Sequence, residues 1–282
     1  MRGSAPTARA LDIVELLVRA GERRLRFSDV VRELELTQAT AHAILTTLCD
    51  RGWATRDPVD KTFGVGPALA VVAARAQAAR PLAVAARTAA AAVAAELGYP
   101  GSVVERVDDA LVITAFAGGD AGHPAGQPGD RIPYAPPFGA AFAAWAPEPE
   151  RRAWIDRCGA DAAVTERLER VLARTRARGF DIDWTTPALA QAAHLVGELD
   201  EGGLPPRVRR IMEALLAEFG SVGLLSDDDP ERETRPVVSL TAPVFGAHGE
   251  VALVLGAHPL RALTTAELVA AGAVLTRAAA GI

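Results

Sequence analysis

The chain has 282 residues, enough for two domains with cores of their own. Half of the residues are hydrophobic, but no uninterrupted apolar run reaches the roughly 20 residues of a membrane-spanning helix. Cys49 and Cys158, the only cysteines, lie in helical contexts and suggest neither a disulfide framework nor a zinc site, which fits a reducing cytoplasm.

The first seven residues lack the apolar core of a signal peptide. Ala10, Ile13, Val14 and Leu17 then give a first helix its buried stripe. From Phe27 to Gly66 the order is a short amphipathic helix, a turn at Glu35-Leu36, a second helix opening at Thr37, and a strand-turn-strand from Trp53 to Val65. This is the layout of a winged helix-turn-helix, whose second helix enters a DNA major groove. Ala41, Ile44, Leu45 and Leu48 form one apolar stripe on that helix, and Ala39, His42, Ala43 and Thr46 lie opposite, small and polar. Thr37 is a suitable N-cap, and Arg51-Gly52 supplies a cation and a glycine for the other end. Asp57-Pro58-Val59-Asp60 marks the wing turn, with Arg56 and Lys61 at its two ends, where a wing touches phosphates. Either cation alone would read as an ordinary solvated side chain.

The charge is uneven. Residues 1–80 hold 12 Arg+Lys against 9 Asp+Glu, a net of +3, whereas the whole chain is at −5. A mildly basic head on an acidic body points to a local DNA contact rather than a broad nucleic-acid surface.

Gly66-Pro67 opens a further helix reaching Arg80-Pro81. Its alanine-rich surface suits either a simple connector or pairing with a second copy. A helix from Leu82 to Leu97 ends at Gly98. Ser102 to Val107 and Leu111 to Phe116 read as a hairpin, and Gly118 to Gly129 as a Gly/Pro-rich loop. Helices are expected at 138–146, 149–158 and 165–178, and strands at 237–244 and 251–257. Thr264-Thr265-Ala266-Glu267 is a capping-box start for the last helix. Strands bracketed by helices indicate an α+β domain. A helix at 208–219 and a solvated acidic run at 227–233 are also expected.

Catalytic signals are sparse. Gly64 to Gly66 is too short for a dinucleotide fingerprint, and the five histidines lack metal-ligand spacing. Asp181 and Asp183 alternate as on one side of a strand, which fits an exposed edge as well as a paired-carboxylate site. Cys158 lies in no nucleophile motif. No enzyme, cofactor or metal is therefore expected.

Several segments together resemble the IclR family of transcriptional regulators: A-R-A-L-D-I-V-E-L-L at 8–17, S-D-V-V-R-E-L at 28–34, T-A-H-A-I-L-T-T-L at 40–48, R-G-W at 51–53, F-G-V-G at 63–66, A-R-G-F at 177–180 and T-A-P-V-F at 241–245. The resemblance implies a winged helix-turn-helix over residues 1–66, a linker helix over 67–80 and a GAF-like effector-binding domain over 81–282. That domain would have a central antiparallel sheet, helices on one side and a ligand pocket on the other. The partners implied are double-stranded operator DNA, a small-molecule effector and a homodimer or dimer of dimers. Residues 187–236 stand where the family has only a short connection, as a pocket lid or an oligomer contact.

For DNA, the implied set is Thr37, Gln38, Thr40, His42, Ala43, Thr46, Arg56 and Lys61. Ala43 stands where many relatives carry arginine, so sequence preference moves to Gln38, Thr40, His42 and Thr46. Glu35 replaces the usual glycine of the turn, so a wider turn is expected. For the effector, the implied set is Phe116, Tyr134, Phe138 and Gly139 on one side and Ser239, Thr241, Gly256 and His258 on the other. Relatives often have Gly-Lys where Gly139-Ala140 stands, and often small hydroxyl residues where Gly256 and His258 stand, groups that can bind carboxylates in members that sense small organic acids. Their absence, with the aromatics and the Pro136-Pro137 corner, favours a more apolar or aromatic ligand. The alternatives are a winged-helix regulator of another family and an enzyme with a GAF-like domain.

Overall fold

The computed structural model describes residues 4–118, 126–159, 162–183 and 234–282. The expected helix at 208–219, the acidic run at 227–233, His123, His194 and most of the 187–236 segment lie outside these residues. The chain divides into two compact units, Met1–Pro81 and Leu82–Ile282. No single described helix is long and apolar enough to cross a membrane.

The first unit contains α1 (Ala5–Arg19), β1 (Leu25–Arg26), α2 (Phe27–Glu33), α3 (Gln38–Asp50), β2 (Ala54–Arg56), β3 (Thr62–Val65) and α4 (Pro67–Ala78). Its core joins Ile13, Leu16 and Leu17 of α1 to Val30, Leu45, Ala54 and Phe63. The strands form an antiparallel sheet in the order β1-β3-β2. The two-residue β1 was not expected; it exists because Leu25 and Arg26 pair with Phe63 and Thr62. The turn after α2 is also not wider. Glu35 takes the left-handed conformation a glycine would have taken, at φ 50°, and the Leu36 N–H closes onto the Val31 carbonyl at 3.1 Å. Gly66 has no freedom to be anything larger, since a Cβ there would stand 2.1 Å from the Gly52 carbonyl oxygen.

The second unit runs α5 (Pro81–Leu97), β4 (Gly101–Val107), β5 (Ala110–Ala117), β6 (Arg131–Pro133), α6 (Ala140–Ala143), α7 (Glu148–Asp156), α8 (Ala162–Arg178), β7 (Asp181–Asp183), β8 (Thr234–Val237), β9 (Ser239–Phe245), β10 (Val251–Ala257), β11 (Arg261–Thr264) and α9 (Thr265–Ala280). Six strands make one antiparallel sheet in the order β6-β5-β4-β10-β9-β7. Side chains alternate between its faces. Val103, Leu240, Ala242, Leu253 and Leu255 pack with Ala86, Ala90 and Val93 of α5 and Leu268, Ala271 and Leu275 of α9. On the other face, Val104, Leu111, Ile113 and Val254 meet α6, α7 and α8. Helices thus cover both faces, and the face expected to be left for a ligand has a roof.

Two of the expected elements differ in extent, and the short strands β6 and β11 were not expected. The helix expected from Phe138 shrinks to Ala140–Ala143, because Gly139 is left-handed at φ 85° and Pro147 ends the turns that follow. The strand expected at 237–244 breaks at Val238, whose N–H donates to the Asp183 carbonyl at 3.0 Å; β8 leaves the main sheet and pairs with β11.

The last helix starts as its sequence suggests. The Glu267 N–H donates to Thr264 Oγ1 at 3.2 Å, and the Glu267 carboxylate accepts from the Thr264 N–H at 2.7 Å. That bond, then Arg261 and the Thr264 hydroxyl, hold the Glu267 carboxyl down to about 2. A depressed carboxyl stabilises the fold fully above its ordinary value of 4.5, and this contribution is lost as pH falls toward 2.

Phe180 lies against α9 at Gly272, where a Cβ would stand 2.2 Å from its ring. Gly272→Ala is therefore expected to destabilise this unit by about 1–3 kcal/mol, the usual cost of overpacking. Urea unfolding of the two proteins measures it, and an unchanged midpoint would contradict the packing.

Candidate functional site

In the first unit, α3 presents the two faces its spacing predicts. Ala41 and Leu45 are buried, Ile44 and Leu48 half-buried, and Gln38, Ala39, His42, Ala43 and Thr46 exposed. Thr37 Oγ1 accepts from the Thr40 N–H at 3.2 Å, and the two hydroxyls lie 2.8 Å apart. Thr37 and Thr40 therefore cap the helix, and the Thr40 hydroxyl is already engaged. His42, Thr46 and Arg56 meet around one cleft of about 420 Å³ between α3 and the wing, with Phe27 and Phe63 in its walls. The Arg56 guanidinium sits over the Phe63 ring, 5.7 Å from its centroid. Cys49 also lines this cleft, and burial raises its thiol pKa.

The wing turn is built by Asp57. Its Oδ1 accepts from the Val59 N–H at 2.8 Å and the Asp60 N–H at 3.0 Å, and these bonds hold the carboxyl below its ordinary range. Lys61 closes the turn in the left-handed conformation, φ 58°, and its Nζ reaches back to the Pro58 carbonyl at 2.5 Å. Sequence reasoning missed Arg24. Its guanidinium spans both wing strands, donating to the Thr55 carbonyl at 3.2 Å and to Thr62 Oγ1 at 3.3 Å. No motif marks it, because its role depends on where β1 places it.

In the second unit, a cavity of about 110 Å³ lies between the sheet and α6. Ser102, Val104, Ile113, Val254 and His258 line it from the central strands, and Phe138, Gly139 and Phe142 from the roof. Ser239 and Thr241 of β9 and Asp181 and Asp183 of β7 form its far wall. Five of the eight expected effector residues therefore converge here: Phe138, Gly139, Ser239, Thr241 and His258.

The other three do not line the cavity but shape it. Tyr134 is 1% exposed; its ring fills the space beside Gly139, where a Cβ would come within 2.6 Å of it. Arg106 and Arg157 stack on that ring at 4.3 and 5.3 Å from its centroid. Burial raises the Tyr134 hydroxyl pKa. Phe116 packs on the His258 ring, 5.3 Å between centroids. Gly256 leaves room for a buried hydrogen bond of 2.8 Å between His258 Nε2 and Ser102 Oγ; a Cβ there would stand 2.5 Å from that hydroxyl.

The roof is tied down by two bonds. Trp154 Nε1 donates to the Phe138 carbonyl at 2.9 Å, and Arg157 Nη1 to the Tyr134 carbonyl at 2.7 Å. Sequence reasoning did not single out Ser102, and it left Asp181 and Asp183 between two readings. The structure gives these carboxylates to the cavity wall: Asp181 is buried and accepts from Thr175 Oγ1 at 3.2 Å. Among the described residues no group of three or more His, Cys, Asp or Glu side chains could hold a metal ion.

Comparison with known proteins places this geometry. Residues 6–58 match the IclR helix-turn-helix domain. No match is found among curated proteins. Solved structures similar to the chain include an IclR transcriptional regulator from Alicyclobacillus acidocaldarius, with 21% identity over 99% of this chain and 98% of that one, at a TM-score of 0.61. The Thermotoga maritima IclR has 14% identity over 97% and 95%, at 0.61. An IclR homologue from Microbacterium hydrocarbonoxydans, complexed with 4-hydroxybenzoate, has 17% identity over 98% and 97%, at 0.62. Residues 6–58 form an IclR-family helix-turn-helix domain, and the chain as a whole has the fold of IclR transcriptional regulators.

Proposed function

We propose that this chain is a cytoplasmic, sequence-specific DNA-binding transcriptional regulator whose operator affinity is set by a small, partly apolar effector. The observation that carries the DNA half is the exposed face of α3: Gln38, His42, Ala43 and Thr46 are exposed, opposite a buried Ala41 and Leu45, inside an IclR helix-turn-helix domain. Gln38 and Thr46 read base edges, His42 supports them, and Arg56 and Lys61 meet phosphates. Thr37 and Thr40 act by fixing the start of the helix. The effector half rests on the cavity between the sheet and α6, and a structural neighbour complexed with 4-hydroxybenzoate is consistent with it. We read residues 1–66 as the DNA head, 67–80 as the link and 81–282 as a sensor rather than an enzyme. A ligand acts on the heads only by binding one arrangement of the protein more tightly than another.

The working form is a homodimer or a dimer of dimers. None of the residues of α4 is buried, and Val71 and Val72 are 51% and 45% exposed, an apolar surface that suits a second copy of the same helix. A two-fold dimer presents two recognition helices to a pseudo-palindrome, whereas one helix reads too few bases for selectivity.

Replacing Gln38 or Thr46 by Ala should weaken specific binding by about 1–3 kcal/mol if a good base contact is lost. Replacing Lys61 by Ala should weaken specific and non-specific binding alike and flatten the salt dependence. Titration of operator and random DNA at several salt concentrations checks both, and unchanged binding in all three variants refutes the placement.

Light scattering is expected to give a dimer or tetramer. Asp in place of both Val71 and Val72 should lower the mass and cost operator affinity. A monomeric wild-type protein with full affinity for a single half-site would rule the assembly out.

A further inference from the structure

The run Phe63-Gly64-Val65-Gly66 holds a glycine that the DNA contacts do not use. Gly66 makes the turn into α4, but Gly64 stands inside β3 and outside the left-handed region that favours glycine. What its missing side chain makes room for is Arg24. A Cβ at 64 would stand 3.1 Å from Arg24 Nη1 and 3.3 Å from Cζ, so the guanidinium lies against the strand itself. Thr55, paired with Gly64 in register, and Thr62, two residues before it, share this face. Arg24 Nε donates to Thr62 Oγ1 at 3.3 Å, and Nη2 donates to the Thr55 carbonyl at 3.2 Å and the Thr62 carbonyl at 3.4 Å. The sheet order is β1-β3-β2. Arg24 precedes β1 at one edge and reaches β2 at the other, so one side chain crosses the whole wing.

The wing has need of such a strap. β2 and β3 pair only at Ala54–Val65, Thr55–Gly64 and Arg56–Phe63, and a short two-stranded ribbon is marginal in water. Its inner face is held by Phe63 in the core, with the Arg56 guanidinium over that ring. The outer face offers two threonines and a glycine, with no apolar side chain to bury. A fork of donors can join the two strands there, whereas a lysine ammonium is a compact point charge that cannot span them in the same way.

We propose that Arg24 is the positioning residue of the wing: through the space left by Gly64 it fixes where Arg56 and Lys61 present their cations to DNA. This rests on the reading of the head as a DNA-binding domain. Arg24 acts through the other two cations and is not itself a phosphate contact.

The test uses the full-length protein and fluorescence anisotropy at low salt. The probe is a random-sequence duplex, since phosphate contacts carry no sequence information, of about 40 base pairs, room for two heads one helical turn apart. Arg24→Ala and Gly64→Val should each weaken binding by about threefold or more, a coupling of the size seen between residues that act together. Gly64→Val keeps the Arg24 charge and removes only its seat. Arg24→Lys, which keeps the charge without the fork, should bind like Arg24→Ala. With Arg56 and Lys61 both replaced by Ala, Arg24→Ala and Gly64→Val should change nothing further. Thermal unfolding sets a temperature at which every variant is folded, and Gly64→Val carries the test if Arg24→Ala does not fold. Wild-type affinity in Arg24→Ala and Gly64→Val would overturn the proposal. So would a loss confined to Arg24→Ala and restored by Arg24→Lys, which would make Arg24 a phosphate contact. Equal losses with and without the wing cations would also overturn it, as a general weakening of the fold. A wild-type protein that does not bind the duplex would overturn the DNA reading as well.

Discussion

The cavity between the sheet and α6 depends on how closely the segment before α6 approaches the sheet, and that distance is set by the contact of Gly139 with Tyr134. Gly139 holds a left-handed backbone with the Tyr134 ring in the space any side chain would need. Tyr134 is in turn pressed between Arg106, Arg157 and the Phe142 ring. With this contact made, Phe138 and Phe142 line the roof and the Phe138 carbonyl meets Trp154. A side chain at 139 would meet the Tyr134 ring at 2.6 Å and Leu111 at 3.2 Å, so the contact leaves no room for one. The second constraint lies on the floor, where Gly256 leaves room for the Ser102–His258 bond. Two glycines thus shape the site from opposite sides, one by its conformation and one by its lack of a side chain.

The head is built on a similar economy. Gly66 lets β3 turn into α4 against the Gly52 carbonyl, and the Ala68 N–H bonds to that same carbonyl at 2.9 Å. The start of α4 is therefore fixed to the base of the wing by backbone contacts. Arg24 and Asp57 stiffen the wing although neither is itself buried. These are exposed bonds of modest individual worth, and their use here is to fix geometry more than to add stability.

Much of this was legible in the sequence where information is local. The two faces of α3, the Thr37 cap, the turn at Asp57 and the capping box at Thr264 are each written within a few residues, and each stands as read. What was not legible depends on distant partners. A two-residue strand at Leu25 has no periodicity of its own and exists only because β3 lies beside it. The break at Val238 is made by the Asp183 carbonyl, far away in sequence. A glutamate at position 35 suggests a wider turn, since the sequence does not reveal that the surrounding packing will hold it in the left-handed conformation. Asp181 and Asp183 illustrate the same limit at the site: alternation places them on one side of a strand, but whether that side faces water or a cavity is decided by the distant helices on that face, α8 against β7 and α6 beside it on β9. The aromatics were identified by type, and only packing separates Phe138, which lines the cavity, from Tyr134, which supports it.

Joining the two units into one device requires that DNA and effector each alter the protein's affinity for the other. Such coupling is reciprocal by thermodynamic necessity. The most direct measurement is therefore the affinity of a cavity ligand for the free protein and for the protein saturated with operator DNA, set against operator affinity with and without that ligand. The account predicts that both ratios depart from one and agree, within a range of about 5- to 150-fold. A ligand that binds the cavity with one affinity in both states, leaving operator binding unmoved, would contradict it.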